Sequence, residues 1–190
     1  TREATDAQLE ANLARLVVEM HASGITTFET KSGYGLDVET ESRTLAIAAK
    51  HTSETTFLGA HVVPQEFKDV AKFGSVEAGA DAYVELVKNA MLTAAIPHAK
   101  WIDVFCDRGA FNVDQAREIL QAGISAGLAP RIHANQLENI GAIQLAVELD
   151  CASADHCTHL TNEDIDALAH SNTVSTLLPG AEFSTRSKYQ

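Results

Sequence analysis

The sequence predicts an α/β fold of about six βα units with parallel strands. Segments with strand-like and helix-like patterning alternate along the chain. Strand starts recur on the order of 20 to 45 residues apart, the spacing a βα unit requires. Each return to a parallel strand needs a crossover helix, so the alternation implies parallel pairing. A doubly wound open sheet and part of an eight-stranded barrel both satisfy this pattern. No G-x-G-x-x-G follows the first strand, which argues against a dinucleotide-binding sheet.

The elements follow in order. A first helix is expected over about residues 5–23, where Leu9, Leu13, Leu16, Val17 and Met20 share one face. Thr5 and Gln8 suit a capping box, and Gly24 suits the stop. Ile25, Thr26, Thr27 and Phe28 favour a strand over 25–31, which ends in the turn Ser32-Gly33-Tyr34-Gly35. A helix over 37–51 leads to a strand over 55–61, and a helix over 75–95 leads to a strand over 100–107. Asn112 caps a fourth helix with Gln115 at the box position; Gly127 and a strand over 130–134 follow. A short helix over 139–149 precedes a strand over 151–156, Thr161 caps the last helix, and 173–178 is the last strand. Residues 62–74 are expected to be the longest stretch without regular structure.

With 190 residues, 45% of them hydrophobic, the chain suits a single domain with a sizeable core. Only 6% is aromatic, so Ala, Val, Ile and Leu must fill that core. A net charge of −12 argues against a nucleic-acid partner, which would need clustered Lys and Arg. The three cysteines are odd in number and form no C-x-x-C, so reduced thiols are expected rather than a disulfide framework. No signal peptide and no bilayer-spanning apolar run is evident, so no membrane partner is expected. The start at Thr1 without Met and the stop at Gln190 soon after a strand suggest an excised segment, with processing as the alternative.

Polar side chains collect at the expected C-terminal ends of the strands: Lys31 and Tyr34, then His61, Asp107, His133, Asp155 with His156, and finally Pro179 and Gly180. Active sites of parallel barrels occupy this face. His133 suits zinc or iron ligation, or a hydrogen-bonded structural role. His156 could be a ligand, a proton shuttle or a buried histidine bonded to the backbone. His61 ends a Gly-Ala-His run open to close approach, and Tyr34 between two glycines suits either ligand contact or a packed loop. His21, His51, His98 and His170 fall on helices or helix ends and read as surface or capping residues. Cys106 and Cys151 read as small core hydrophobes; Cys157 lies nearer the active face with no clear base beside it.

Five segments in order, Lys31-Ser32-Gly33-Tyr34-Gly35-Leu36, Phe57-Leu58-Gly59-Ala60-His61, Ile132-His133-Ala134, Ser153-Ala154-Asp155-His156 and Leu177-Leu178-Pro179-Gly180, resemble imidazolonepropionase of the amidohydrolase superfamily. The resemblance runs through nearly the whole chain. It implies a partial (β/α)8 TIM barrel, the central part of a metal-dependent enzyme. The implied reaction is hydrolysis of 4-imidazolone-5-propanoate to N-formimidoyl-L-glutamate in histidine degradation. On the same basis His133 would hold one Zn or Fe per full-length chain. Tyr34, His61 and Gln136 would contact substrate, and His156 would assist proton transfer or hold the oxyanion. Gln136 stands where some members carry Glu and cannot serve as a general base. The family's His-x-His pair and substrate-binding Arg are expected before Thr1, and an Asp ligand after Gln190. A cytoplasmic homodimer acting on a small molecule is implied for the whole protein. Alternatives are another cyclic amidohydrolase or deaminase, or an inactive scaffold fragment.

Overall fold

The computed structural model describes residues 1–186. The chain forms two compact units, Thr1–Ile102 and the part from Asp103 onward. Helices separate the successive parallel strands in both, the topology of consecutive βα units in a partial barrel.

The first unit holds helix α1 (Asp6–Ala22), strand β1 (Thr30–Lys31), helix α2 (Val38–Ala48), strand β2 (Thr55–Ala60) and helices α3 (Val70–Phe73), α4 (Val76–Leu86) and α5 (Leu92–Ala95). Thr5 and Gln8 form the expected capping box, and Gly24 takes a φ of 83° after the last turn. The apolar face of α1 is only half-buried. Leu13, Leu16 and Met20 instead line an open groove of about 430 Å³ with Ile25 and Thr30.

The first strand is shorter than its composition suggests. Only Thr30 and Lys31 pair, in parallel, with Thr55 and Thr56. A strand needs a neighbour's ladder as well as β-branched residues, and the Phe28 carbonyl accepts from the Thr52 hydroxyl instead, at 2.8 Å. The segment expected to be irregular contains a 3-10 turn at Gln65–Phe67 as well as α3. The helix expected over 75–95 is continuous, but between α4 and α5 it widens into a π turn at Val87–Met91. Leu45, Phe57, Tyr83, Val87 and Met91 are fully buried there, and the Tyr83 hydroxyl donates to the Gly59 carbonyl at 2.8 Å.

Strand β3 (Trp101–Cys106) opens the second unit after its first two residues. Helix α6 (Val113–Ser125), strands β4 (Ala129–Pro130) and β5 (Ile132–Ala134), helix α7 (Ala142–Glu148), strand β6 (Ser153–His156), helix α8 (Asn162–Ala169), strand β7 (Val174–Thr176) and helix α9 (Pro179–Thr185) follow. The order is β3-β5-β6-β7, with β4 beside β3. One expected strand thus becomes two short ones broken at Arg131, after Pro130, which has no N–H to give a ladder. The capping box at Asn112 starts α6 and the Thr161 cap starts α8 as expected, the latter completed to a box by Asp164. Pro179 and Gly180, expected at the end of the last strand, start helix α9, where proline's fixed φ suits the first turn.

Cys106 and Cys151 are buried, which pushes both thiols up to about 12. The neutral thiol is favoured in the fold, so this contribution is full below the ordinary thiol pKa of 9.0 and is lost as pH rises toward about 12. Iodoacetamide is expected to leave both unlabelled in the native protein at neutral pH and to label both in urea. Rapid native labelling would contradict their core placement.

Candidate active site

The second unit builds its chemistry from three neighbouring strands. Phe105 of β3 stands in register with His133 of β5, and His133 with Asp155 of β6. Parallel partners in register share a face, and Asp103 shares it two residues before Phe105. Asp103 is completely buried, and its two carboxylate oxygens lie 3.0 and 3.1 Å from His133 Nδ1. The Phe105 ring meets the imidazole near edge-on, with centroids 5.9 Å apart. One donor atom from each of Asp103, His133 and Asp155 lies within 4.8 Å of the others. Two carboxylates and an imidazole on rigid strands are a donor set that a divalent cation such as zinc or iron accepts.

His156 closes this group from the end of β6. Strand alternation alone would send it to the face opposite Asp155. Its φ of 78°, followed by 52° at Cys157, breaks the alternation. The His156 ring centroid lies 5.2 Å from that of His133. Positive φ at two successive non-glycine residues is strain of the kind found at functional sites. Beside His156, Glu182 of α9 accepts from the Thr158 hydroxyl at 2.6 Å and lies 4.0 Å from His156 Nδ1. The Thr158 hydrogen bond holds the Glu182 carboxyl below its usual value. His156, Thr158, Leu178, Pro179 and Glu182 line a cavity of about 220 Å³. Cys157 also faces it, but burial pushes its thiol up and the thiol donates to the Ala154 carbonyl. That is an inert setting for a nucleophile.

Asp107 anchors a loop instead of facing a ligand. It is almost fully buried and accepts from the backbone N–H groups of Gln136, Leu137 and Glu138 at 2.7, 2.8 and 3.2 Å. The turn that carries Gln136 is thereby fixed. Asn135, at φ 52°, secures it further by donating to the His159 carbonyl at 3.1 Å.

The first unit uses the same device. Glu41, fully buried on α2, accepts from the N–H groups of Gly33, Gly35 and Leu36 at 2.7, 2.8 and 2.8 Å. Gly33 has a φ of 107°, and a Cβ there would come within 2.7 Å of the Leu58 carbonyl oxygen, so only glycine fits. The clamp holds out Tyr34, which is 71% exposed and meets the His61 ring edge-on at 5.1 Å. His61 Nδ1 lies 2.9 Å from the Gly33 carbonyl oxygen. Lys31, at the end of β1, pairs with Glu29 at 3.5 Å.

Known proteins are similar in sequence to this chain. No family model matches the chain. Proteins named imidazolonepropionase from Streptomyces avermitilis and Streptomyces coelicolor are each 60% identical over 189 residues, and one from Mycolicibacterium smegmatis is 59% identical over 189. In each case the match takes in the whole of this chain. Over its full length the chain is similar to imidazolonepropionases. It spans 44 to 46% of the length of these relatives. The solved structure of A. niger ochratoxinase resembles it over 98% of this chain and 49% of the other, with a TM-score of 0.61 at 16% identity. That likeness is one of fold.

The strand-end residues expected from sequence fall into two groups. His133 and His156 come together in the second unit, and Tyr34 and His61 in the first. Gln136 lies two residues beyond β5 on the loop anchored by Asp107. Asp103, Glu41 and Glu182 were not singled out from sequence. Asp103 did carry a signal: a carboxylate amid Trp101, Ile102, Val104 and Phe105 is costly in a strand unless it is paired. Glu41 lies within an ordinary helix pattern, and Glu182 lies beyond the last expected strand.

Proposed function

We propose that the full-length protein hydrolyses the imidazolone ring of 4-imidazolone-5-propanoate, giving N-formimidoyl-L-glutamate. The observation that carries this reading is the pairing of His133 and His156 rings, 5.2 Å apart, on a face shared with buried Asp103 and Asp155. Asp103, His133 and Asp155 are the described residues that could hold a divalent cation, zinc or iron, and His133 is the one the family resemblance also names. Such a cation supplies Lewis acidity, lowering the pKa of water and polarising a carbonyl.

The chain's own groups then handle substrate and protons. The oxygen of water bonds to the ring carbonyl carbon, the ring C–N bond breaks, and the departing nitrogen takes a proton. His156 is the proton carrier: an imidazole can take a proton from water and return it to the leaving nitrogen. Tyr34 on the anchored glycine-rich turn and His61 at the end of β2 contact the substrate. Gln136 can donate and accept hydrogen bonds to the ring but cannot take a proton. The whole protein is read as a cytosolic homodimer acting on a small molecule. Among the described residues, no helix is long and apolar enough to cross a membrane.

The test is metal content and turnover of the full-length protein. We expect about one zinc or iron per chain, formation of N-formimidoyl-L-glutamate detected by mass spectrometry, and loss of both after chelation. A metal-free protein that leaves the substrate untouched would overturn the reading.

A further inference from the structure

We infer that Asp103 is a positioning residue: it holds His133 through Nδ1, so that His133 offers Nε2 to the cation, and it is not itself a ligand. The inference rests on the reading of His133 as a metal-holding residue and assigns the neighbouring carboxylate a separate role.

The observations are geometric. Asp103 is 0% exposed, in the middle of β3 and not at its mouth. Both of its oxygens face the same ring nitrogen, at 3.0 and 3.1 Å. A carboxylate ion only accepts hydrogen bonds, so Nδ1 is the donor and carries the proton. In a neutral imidazole the lone pair then sits on Nε2. A protonated nitrogen cannot coordinate, so His133 cannot share a cation with Asp103 through Nδ1. The Phe105 ring packs T-shaped against the imidazole, with centroids 5.9 Å apart. A buried carboxylate that fixes the tautomer and plane of a metal-binding histidine also raises that histidine's basicity as a ligand. Strand register makes the arrangement rigid: Phe105 pairs with His133, so Asp103 is held to the same face by the ladder itself.

This assignment predicts different behaviour for the two carboxylates that flank His133. Asp155 stands directly opposite His133 on β6 and remains a candidate ligand. Asp103 tolerates an isosteric amide, because an asparagine oxygen can still accept from Nδ1–H.

The experiment uses the full-length protein and its Asp103→Asn, Asp103→Ala and His133→Ala variants. Zinc affinity is measured by competition with a chromophoric chelator, and folding is checked by circular dichroism. His133→Ala should lose bound zinc. Asp103→Ala should bind zinc about 10–100-fold more weakly. Asp103→Asn should fall between Asp103→Ala and the unaltered protein. In the unaltered, metal-free protein at mildly alkaline pH, nitrogen NMR of labelled histidine should show His133 protonated at Nδ1, a measurement that does not depend on any variant folding. Asp103→Asn as empty of zinc as His133→Ala would make Asp103 a direct ligand and overturn the inference. Unchanged affinity in Asp103→Ala, or a proton on Nε2, would overturn it equally. Zinc retained by His133→Ala is a separate result, which removes the underlying reading of His133.

Discussion

Replacing His156 by asparagine in the full-length protein is expected to lower kcat by about 10²–10⁴-fold, the usual contribution of a positioned acid–base group. KM, metal content and thermal stability should change little. Asparagine is the informative substitution because the backbone at this position has a φ of 78°. Asparagine is enriched in that region, whereas alanine would add strain of its own to the loss of the ring. The amide keeps a polar group against Thr158 and Glu182 in the cavity but cannot carry a proton. Steady-state kinetics with the proposed imidazolone substrate decide the matter. A kcat within a few-fold of the unaltered protein would remove His156 from proton transfer, and a loss appearing only in KM would make it a binding residue.

Glu41→Ala is expected to destabilise the first unit by about 3–5 kcal/mol, because each buried N–H left without an acceptor costs about 1–3 kcal/mol and three depend on this carboxylate. Glu41→Gln should be nearly as harmful. Glu41 presents one oxygen to Gly33 and the other to Gly35 and Leu36, so any amide orientation turns an NH2 group toward at least one N–H. Urea unfolding followed by the fluorescence of Trp101, the single tryptophan of this chain, checks the size of the effect. Where the variant remains folded, the loosened turn should raise KM more than it lowers kcat, since Tyr34 sits between two of the N–H groups that Glu41 holds. A variant as stable as the unaltered protein would show that solvent replaces the clamp.

The buried carboxylates explain why the site was only partly legible in sequence. His61, His133, Asp155 and His156 could be placed at strand ends because patterning marks where strands stop and barrels use that face. Their partners could not. Asp103 faces His133 across 30 positions of sequence, and Asp107 meets the Gln136 turn across 29. No local rule links residues so far apart; only strand register brings them together. The same limit applies to backbone direction. Alternation puts Asp155 and His156 on opposite faces, and the positive φ that overrides it depends on how the chain leaves β6.

Local chemistry was decided within the sequence itself. Helix starts at Thr5, Asn112 and Thr161 formed as their capping residues required, since a cap needs only groups three residues apart. The alternation of strand and helix, the parallel pairing and the order of the strand-end motifs likewise follow from short-range patterning. Tertiary structure alone decided the length of the first strand, which is set by how far a neighbour offers a ladder. It alone left the apolar face of α1 half-buried, and it alone decided which acids bind backbone and which face a histidine. Those outcomes depend on pairing and burial between distant segments, and no window of neighbouring residues contains that information.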